Sequence, residues 1–478
     1  YHPQRPDTIF LACGFGEGVY KTDQSGQQIV RVPFPGDRTQ ERIKAVYPRF
    51  EEESQPEKAG EAQKPSEEDP LSPQSSSTNL NMVFETNRNY WHFYPQQEQW
   101  VQVKPALLRN GTPIGEEKQE RIRLASKRHG IYIGAHNAGG DTVDEYFDLI
   151  KEHECNAIVI DMKNDRGYVT YNTHLELPHK IGAVWEAIDL EKLLEKAHNN
   201  GIYVIARIVV FKDRQLYSYD DYAYAVWNSE KNSAWGHKFK IVDKETEEVR
   251  YEQREHWVDP FSQFVWDYNI SIAEELQKRG IDEIQFDYIR FPSDGNFSGV
   301  TYRNRKNNMT KMEAIESFLK KAREVVSIPI STDLYGFNSW YKMGNWIGQS
   351  IQMISRYADA ICPMFYPSHF PRTFMENEPY LERAQKLYKE GSDRAAVLVE
   401  GKSIIRPYIQ AFLMGGELKF EEPTYTDYLL KQIKGTKESA ASGFTLWNNS
   451  NSYYMVTVPL NTFVRTEPET EEEESLLN

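Results

Sequence analysis

The chain is short of cysteine, of long apolar runs and of positive charge, and each shortage closes off a class of protein. Its three cysteines in 478 residues, Cys13, Cys155 and Cys362, are too few and too widely spaced for a disulfide framework or a paired-cysteine metal motif. No stretch of 18 consecutive apolar residues occurs, so no helix is expected to span a membrane. Lys and Arg number 56 against 71 Asp and Glu, a formal net charge of -15. A nucleic-acid backbone or an anionic bilayer requires clustered cations, so neither is an expected partner; neutral or cationic ligands fit better. What the chain has in quantity is aromatic side chains, 29 Tyr, 23 Phe and 10 Trp, which fill cores and also stack on flat ligand faces.

Composition divides the chain into five parts. Residues 1–50 read as a short β-rich segment, with two strands joined by Gly-rich turns between 7 and 33. Within it GEGVYKTDQSG resembles one unit of a β-propeller repeat, but a single unit cannot close a propeller, which leaves an ordinary hairpin as the preferred alternative. Ile9 to Cys13 has the outline of a lipoprotein cleavage site with too short an apolar part. Residues 51–80, rich in Glu, Pro and Ser and nearly free of apolar residues, read as a disordered acidic linker. Residues 81–128 read as a β-rich extension, with Met82 to Val103 expected to return and pair with the N-terminal hairpin. Residues 129–450 form the main domain, and residues 451–478 a tail that is acidic at its end. The chain opens on Tyr1 rather than Met, from which the removal of an export signal or of an upstream domain is expected.

Between 130 and 448 short apolar strands alternate with amphipathic helices. The strands are GIYIGAH (130–136), AIVIDMK (157–163), IYVIARIVVF (202–211), EIQFDYIRFP (283–292), PISTDLYG (329–336), ADAICPMFYP (358–367), RPYIQAFL (406–413) and GFTLWN (443–448). Stretches such as LEKLLEKAHNNG and FVWDYNISIAEELQKRG carry apolar residues at i, i+3, i+4 and i+7 and end in Gly, the usual left-handed helix stop. Eight strand–helix units predict an α/β fold, a (β/α)8 barrel, rather than an open doubly wound sheet, since no G-x-G-x-x-G follows the first strand.

In such barrels the chemistry lies at the C-terminal ends of the strands. Side chains alternate across a strand, which predicts Asp161 and Lys163 inward on strand 2, Arg207 on strand 3, Gln285 and Asp287 on strand 4, and Asp333 with Tyr335 on strand 5. Tyr366, Gln410 and Trp447 end strands 6, 7 and 8. So many inward charges make a poor closed core and a good cleft. Taken singly, an Asp after a strand also caps helices, and Lys163 or Arg207 would equally serve to neutralise a carboxylate. Asp287 stands apart, embedded in an apolar strand with no turn to serve. Two carboxyls facing one pocket are what glycosidic cleavage requires. Neighbouring strands lie about 5 Å apart, so Asp287 as nucleophile and Asp333 as acid/base suit a retaining mechanism. Tyr288, Tyr335, Tyr366 and Trp447 are candidates to stack on sugar rings, and Asp161, Lys163, Arg207, Arg290 and Gln410 to make polar contacts with them.

Together FDYIRFP, AIVIDMKNDRGYVTY, STDLYG and DAICPMFYPSHF resemble a bacterial family of glycoside-hydrolase barrels known as a domain of unknown function, distantly similar to α-amylase-type and polygalactosaminidase-type enzymes. The resemblance spans about residues 129 to 450. It implies a carbohydrate substrate, no cofactor, no metal, and a nucleophile at Asp287. The sequence departs from the amylase relatives in carrying Asp333 where they carry Glu, and Gln285 where they carry an Arg two residues before the nucleophile. Two alternatives remain. One is a barrel that binds polysaccharide or peptidoglycan without cleaving it; the other is an enolase-type site in which Asp161, Asp287 and Asp333 hold Mg²⁺ beside a Lys163 base, against which Arg207 would repel the metal. A carboxylate within reach of Asp287, whether Asp333 or another such as Glu400, separates cleavage from binding. A sugar-directed role and a Pro/Ser/Glu-rich spacer together suggest an exported, periplasmic or envelope protein.

Overall fold

The computed structural model describes residues 8–13, 18–23, 29–32, 43–52, 78–86, 90–94 and 99–103 of the N-terminal region, and residues 115–460 apart from 243–245, 254 and 307. The chain divides into two compact units, 1–112 and 113–478.

The first unit holds two antiparallel sheets. Thr8–Cys13, Gly18–Asp23 and Ile29–Val32 form one, with three strands rather than the two expected, because Ile29–Val32 takes the free edge of the hairpin. Ile43–Glu52, Thr78–Thr86, Tyr90–Tyr94 and Gln99–Val103 form the other. Met82 to Val103 therefore lies in the ladder of Ile43–Glu52, not in that of the N-terminal hairpin. The acidic linker is also shorter than its composition suggests: Glu51 pairs with Asn79 and Glu52 with Thr78, because a backbone ladder is indifferent to side-chain polarity and runs past the end of the apolar alternation. Residues 53–77 lie outside the described residues, as does the acidic tail from 461.

The second unit is a closed barrel of eight parallel strands: β1 (Arg128–Ile133), β2 (Ala157–Lys163), β3 (Tyr203–Val209), β4 (Glu283–Asp287), β5 (Ile330–Tyr335), β6 (Ala360–Met364), β7 (Tyr408–Gln410) and β8 (Gly443–Trp447). Each pairs with the next, and β8 pairs with β1 to close the ring. Every residue of β2, β3 and β4 is buried. That follows from their near-continuous apolar sequence, one face turned to the barrel axis and the other to helices.

The helices of ten or more residues are α1 (Glu116–Ala125), α2 (Val143–Glu152), α3 (Leu190–Asn199), α4 (Gln263–Lys278), α5 (Lys311–Val325), α6 (Tyr380–Val399) and α7 (Thr424–Lys437). Asp189 caps α3 by accepting from the Lys192 amide, and Thr310 with Glu313 forms a capping box on α5. Gly201 and Gly280, the stops read from the sequence, have φ of +69° and +99°, where a side chain would be strained. Between β5 and β6 two single-turn helices, Gly344–Ile347 and Ile351–Ile354, replace a full crossover helix.

The barrel unit extends beyond 129–450 at both ends. Before β1, Lys118 donates to the Ser355 carbonyl at 2.6 Å and Arg121 to Asp359 at 3.2 Å, which ties α1 to the barrel instead of to a β-rich extension. After β8, Asn451 accepts from the Gly134 amide at 2.9 Å, Tyr453 donates to the Tyr132 carbonyl, and Met455 and Leu460 are buried. These residues are barrel wall rather than tail.

Candidate active site

The interior of the barrel is stratified. Low in it, Glu283 of β4 pairs with Arg406, both without exposure. One pleat higher, Gln285 accepts from the Tyr408 hydroxyl at 2.5 Å and approaches the Cys362 thiol at 3.5 Å. At the C-terminal rim the polar residues are arranged around Arg207. Its Nη1 donates to Asp161, its Nη2 and Nε reach Asp287 Oδ2 at 2.6 Å and 3.1 Å, and its Nε lies 3.8 Å from Asp333 Oδ2. Burial opposes a charged guanidinium, but Asp161 and Asp287 hold it charged, well above even its usual range. Asp161 also accepts from the Tyr132 hydroxyl at 2.8 Å. The cation beside Asp287 thus comes from the neighbouring strand, where Gln285 leaves room for it.

Asp287 and Asp333 occupy different environments. The other oxygen of Asp287, Oδ1, accepts from the Tyr288 amide at 2.5 Å. That amide turns toward the carboxylate because Tyr288 has φ of +52°, a left-handed kink that ends β4 and costs a non-glycine residue about 1–3 kcal/mol. Asp333 is 1% exposed and its Oδ1 has no hydrogen-bond partner. Burial, and then the charge of Asp287, push its carboxyl well above the usual aspartate range. Asp287 is held by donors from Arg207 and the Tyr288 amide, whereas burial disfavours the charged form of Asp333.

Above them opens a cavity of about 390 Å³. Of the residues singled out in the sequence, Arg207, Asp287, Tyr288, Arg290, Asp333, Tyr335, Tyr366 and Trp447 line it. Trp447 stacks on Tyr132 at 3.9 Å between ring centres and stands 5.0 Å from the Arg207 guanidinium. Asp161 lies behind the lining, bonded to Arg207. Gln410 is also behind it, fully buried, accepting from the Ser368 amide at 3.2 Å and donating to Glu417 at 2.8 Å, so it ties together the loops that follow β6 and β7. Glu400, in the left-handed turn that ends α6, pairs with Lys402 and is no part of the cavity.

Lys163 is not inward. The β2–β3 ladder pairs Arg207 with Asp161 and then Ile208 with Lys163, skipping Met162. This bulge shifts the alternation by one residue and turns Lys163 to the helix side. There its ammonium lies 2.8 Å from Asp213, 2.6 Å from the Val209 carbonyl, and 5.7 Å from the Tyr268 ring of α4. A lysine on that side cannot act as base to carboxylates inside the barrel, which removes the enolase-type arrangement. Among the described residues no group of three His, Cys, Asp or Glu side chains is placed to hold a metal ion.

Gly336 completes the lining together with Met364, His369, Phe370, Phe337, Tyr408 and Phe412, and the sequence reading singled out none of these as site residues. Tyr408 was findable, two residues before Gln410 on the inward face of β7. Met364 was findable too, as the last residue of β6, whereas Phe337, His369, Phe370 and Phe412 follow strands β5, β6 and β7 where no periodicity betrays them.

A closed parallel (β/α)8 barrel with two carboxyl groups beneath an aromatic pocket at its C-terminal rim defines a glycoside-hydrolase-type barrel. Residues 130–453, more than half of the chain, match the family described as "putative glycosyl hydrolase domain", and the chain belongs to that family, as a glycoside hydrolase. Many solved structures resemble it, among them the following three. A hypothetical protein from Ruminiclostridium thermocellum is 34% identical over 42% of this chain and 96% of its own, with a TM-score of 0.36. The glycoside hydrolase domain of PgaB (BpsB) from Bordetella bronchiseptica is 12% identical over 70% and 97%, with a TM-score of 0.48. Trehalose-6-phosphate hydrolase from Bacillus licheniformis is 14% identical over 67% and 64%, with a TM-score of 0.39. A comparison with curated protein sequences found no match.

Proposed function

We propose that the chain cleaves a glycosidic bond by double displacement. Asp287 attacks the anomeric carbon while Asp333 gives its proton to the departing glycosidic oxygen. Asp333, now a carboxylate, then takes a proton from water, whose oxygen displaces Asp287 from the glycosyl–enzyme ester. Arg207 and the Tyr288 amide aim the nucleophile, and Trp447 and Tyr366 offer faces for the sugar.

The observation that carries this reading is the sharing of one atom, Arg207 Nε, by both acids. At 3.1 Å and 3.8 Å from it, Asp287 Oδ2 and Asp333 Oδ2 are at most about 6.9 Å apart. That limit admits the roughly 5–5.5 Å of retaining enzymes and only the lower edge of the inverting range.

The test is to digest a panel of bacterial polysaccharides with wild type and Asp287→Asn, counting reducing ends and following the first-formed anomer by NMR. Retention, with release abolished by the substitution, supports the proposal. An inverted product overturns double displacement, and equal release by both proteins overturns Asp287.

One observation favours a barrel that binds sugar without cutting it: Asp333 is almost sealed beneath the pocket. An aryl glycoside whose leaving group needs no proton separates the two. An acid/base role predicts that Asp333→Asn retains cleavage of that substrate far better than cleavage of a natural one; binding alone predicts neither.

A further inference from the structure

Arg290 is the cation of the pocket that no carboxylate of the described residues pairs with directly; Asp294 accepts from Ser293 Oγ and not from the guanidinium. It is 8% exposed and lines the cavity with Asp287 and Asp333. Its guanidinium lies 4.8 Å, 5.2 Å and 4.7 Å from the ring centres of Trp257, Tyr288 and Tyr335, a cage that strips away water. Both of its hydrogen bonds leave from Nη1, to the Phe291 carbonyl and to Ser293 Oγ, each at 3.1 Å. Neither acceptor is charged, and no carboxylate of the described residues lies within 4 Å of the guanidinium. The other cations nearby are engaged: Arg207 by Asp161 and Asp287, and Lys212 by Glu255 and Asp165 at 3.6 Å and 3.9 Å. Nε and Nη2 of Arg290 have no acceptor among the described residues, yet they are not among the atoms sealed from solvent. Those two nitrogens form the guanidinium edge that carries parallel N–H groups, which matches the two oxygens of a carboxylate.

We infer that Arg290 selects a sugar bearing a carboxylate, and that the substrate is a uronic-acid-containing glycan. The inference rests on the pocket being a sugar site. Arg207 is already committed to Asp161 and Asp287, so a substrate carboxylate that enters the site meets Arg290 as a desolvated cation with no ion-pair partner among the described residues. The acidity of the chain as a whole is blunted at this point, because Asp161 and Asp287 are already paired with Arg207. The preference for neutral or cationic ligands drawn from net charge reverses locally.

Affinity electrophoresis of the full chain through gels containing polygalacturonate, polyglucuronate or polymannuronate tests this. Parallel gels contain the same polymers with their carboxyl groups reduced to alcohols, which leaves linkage and length unchanged. Retardation by at least one acidic polymer, on the order of tenfold stronger than by its reduced form, is expected, the size of a charged hydrogen bond. Arg290→Gln should abolish the difference and Arg290→Lys should keep part of it, with thermal unfolding confirming that both variants fold. Equal retardation by both polymer forms overturns the inference, as does no retardation by any acidic polymer, or a preference that survives Arg290→Gln. Cleavage is read separately, by counting reducing ends on neutral polysaccharides. A glycosidase without acid preference therefore defeats this inference alone, and acid-selective binding without cleavage of any polymer defeats the catalytic proposal alone.

Discussion

Arg207 Nη2 lies 2.6 Å from Asp287 Oδ2 on the neighbouring strand, with the two side chains 5% and 8% exposed. The same guanidinium also contacts Asp161 and approaches Asp333. Buried charges of this kind persist only when each has a partner, so Asp161 and Asp287 depend on one cation.

Replacing that cation should be costly. Arg207→Met leaves Asp161 and Asp287 without compensation and is expected to destabilise the barrel by about 3–5 kcal/mol at neutral pH. Without the arginine, burial acts on Asp161 free of the counter-charge that lowers its carboxyl, so the deficit should shrink as pH falls. Denaturant midpoints of wild type and variant at several pH values measure it; a deficit that is constant with pH contradicts the arrangement.

Asp287→Asn preserves shape and removes the attacking charge. Turnover should fall at least about a thousandfold, some 4 kcal/mol of transition-state stabilisation. The dissociation constant for substrate should change little, since sugar binding relies on rings and Arg290. Calorimetric titration beside kinetics distinguishes this from a variant that has lost its fold.

The Asp333 carboxyl is raised well above the usual 3.8 by burial and by Asp287. The folded protein therefore keeps a proton that the unfolded chain gives up above about pH 4. Its contribution to stability is accordingly greatest in acid and declines as pH rises through the folded value. Asp333→Asn lacks this dependence. Relative to wild type the variant should gain stability as pH rises from 4, by about 1.4 kcal/mol per pH unit, and level off at the folded value. Thermal melts across that range show whether the gap widens.

Lys163 and Asp213 form a fully buried pair on the helix side of β2. Lys163→Met strands the Asp213 carboxylate and should destabilise by about 3–5 kcal/mol, while Lys163→Met with Asp213→Leu should recover most of that loss. The Michaelis constant of the folded single variant should stay near the wild-type value, because Lys163 is not on the cavity. A large rise in it would return Lys163 to the substrate site.

Much of the barrel was legible because its signals are local. The eight strands stand where apolar runs and helix periods place them, and Gly201 and Gly280 stop helices as their position after an apolar period implies. Asp287 could be singled out because a charge within EIQFDYIRFP has no local purpose. The alternation that located it also led astray: one skipped residue, Met162, reverses the face of Lys163, and a bulge leaves no mark in composition. Gln410 was read as a ligand contact from its place at a strand end, and the loops it bonds to cover it.

The sequence by itself determined the strand–helix alternation, the closed barrel that eight such units form, and the two acids on adjacent strands, because period and polarity are properties of neighbouring residues. Only the tertiary structure decided that Arg207 joins Asp161, Asp287 and Asp333, that burial raises the Asp333 carboxyl, and that Arg290 has no ion-pair partner among the described residues inside its aromatic cage. Those facts are distances and degrees of desolvation among residues far apart in the chain, and they come into existence only when the barrel closes.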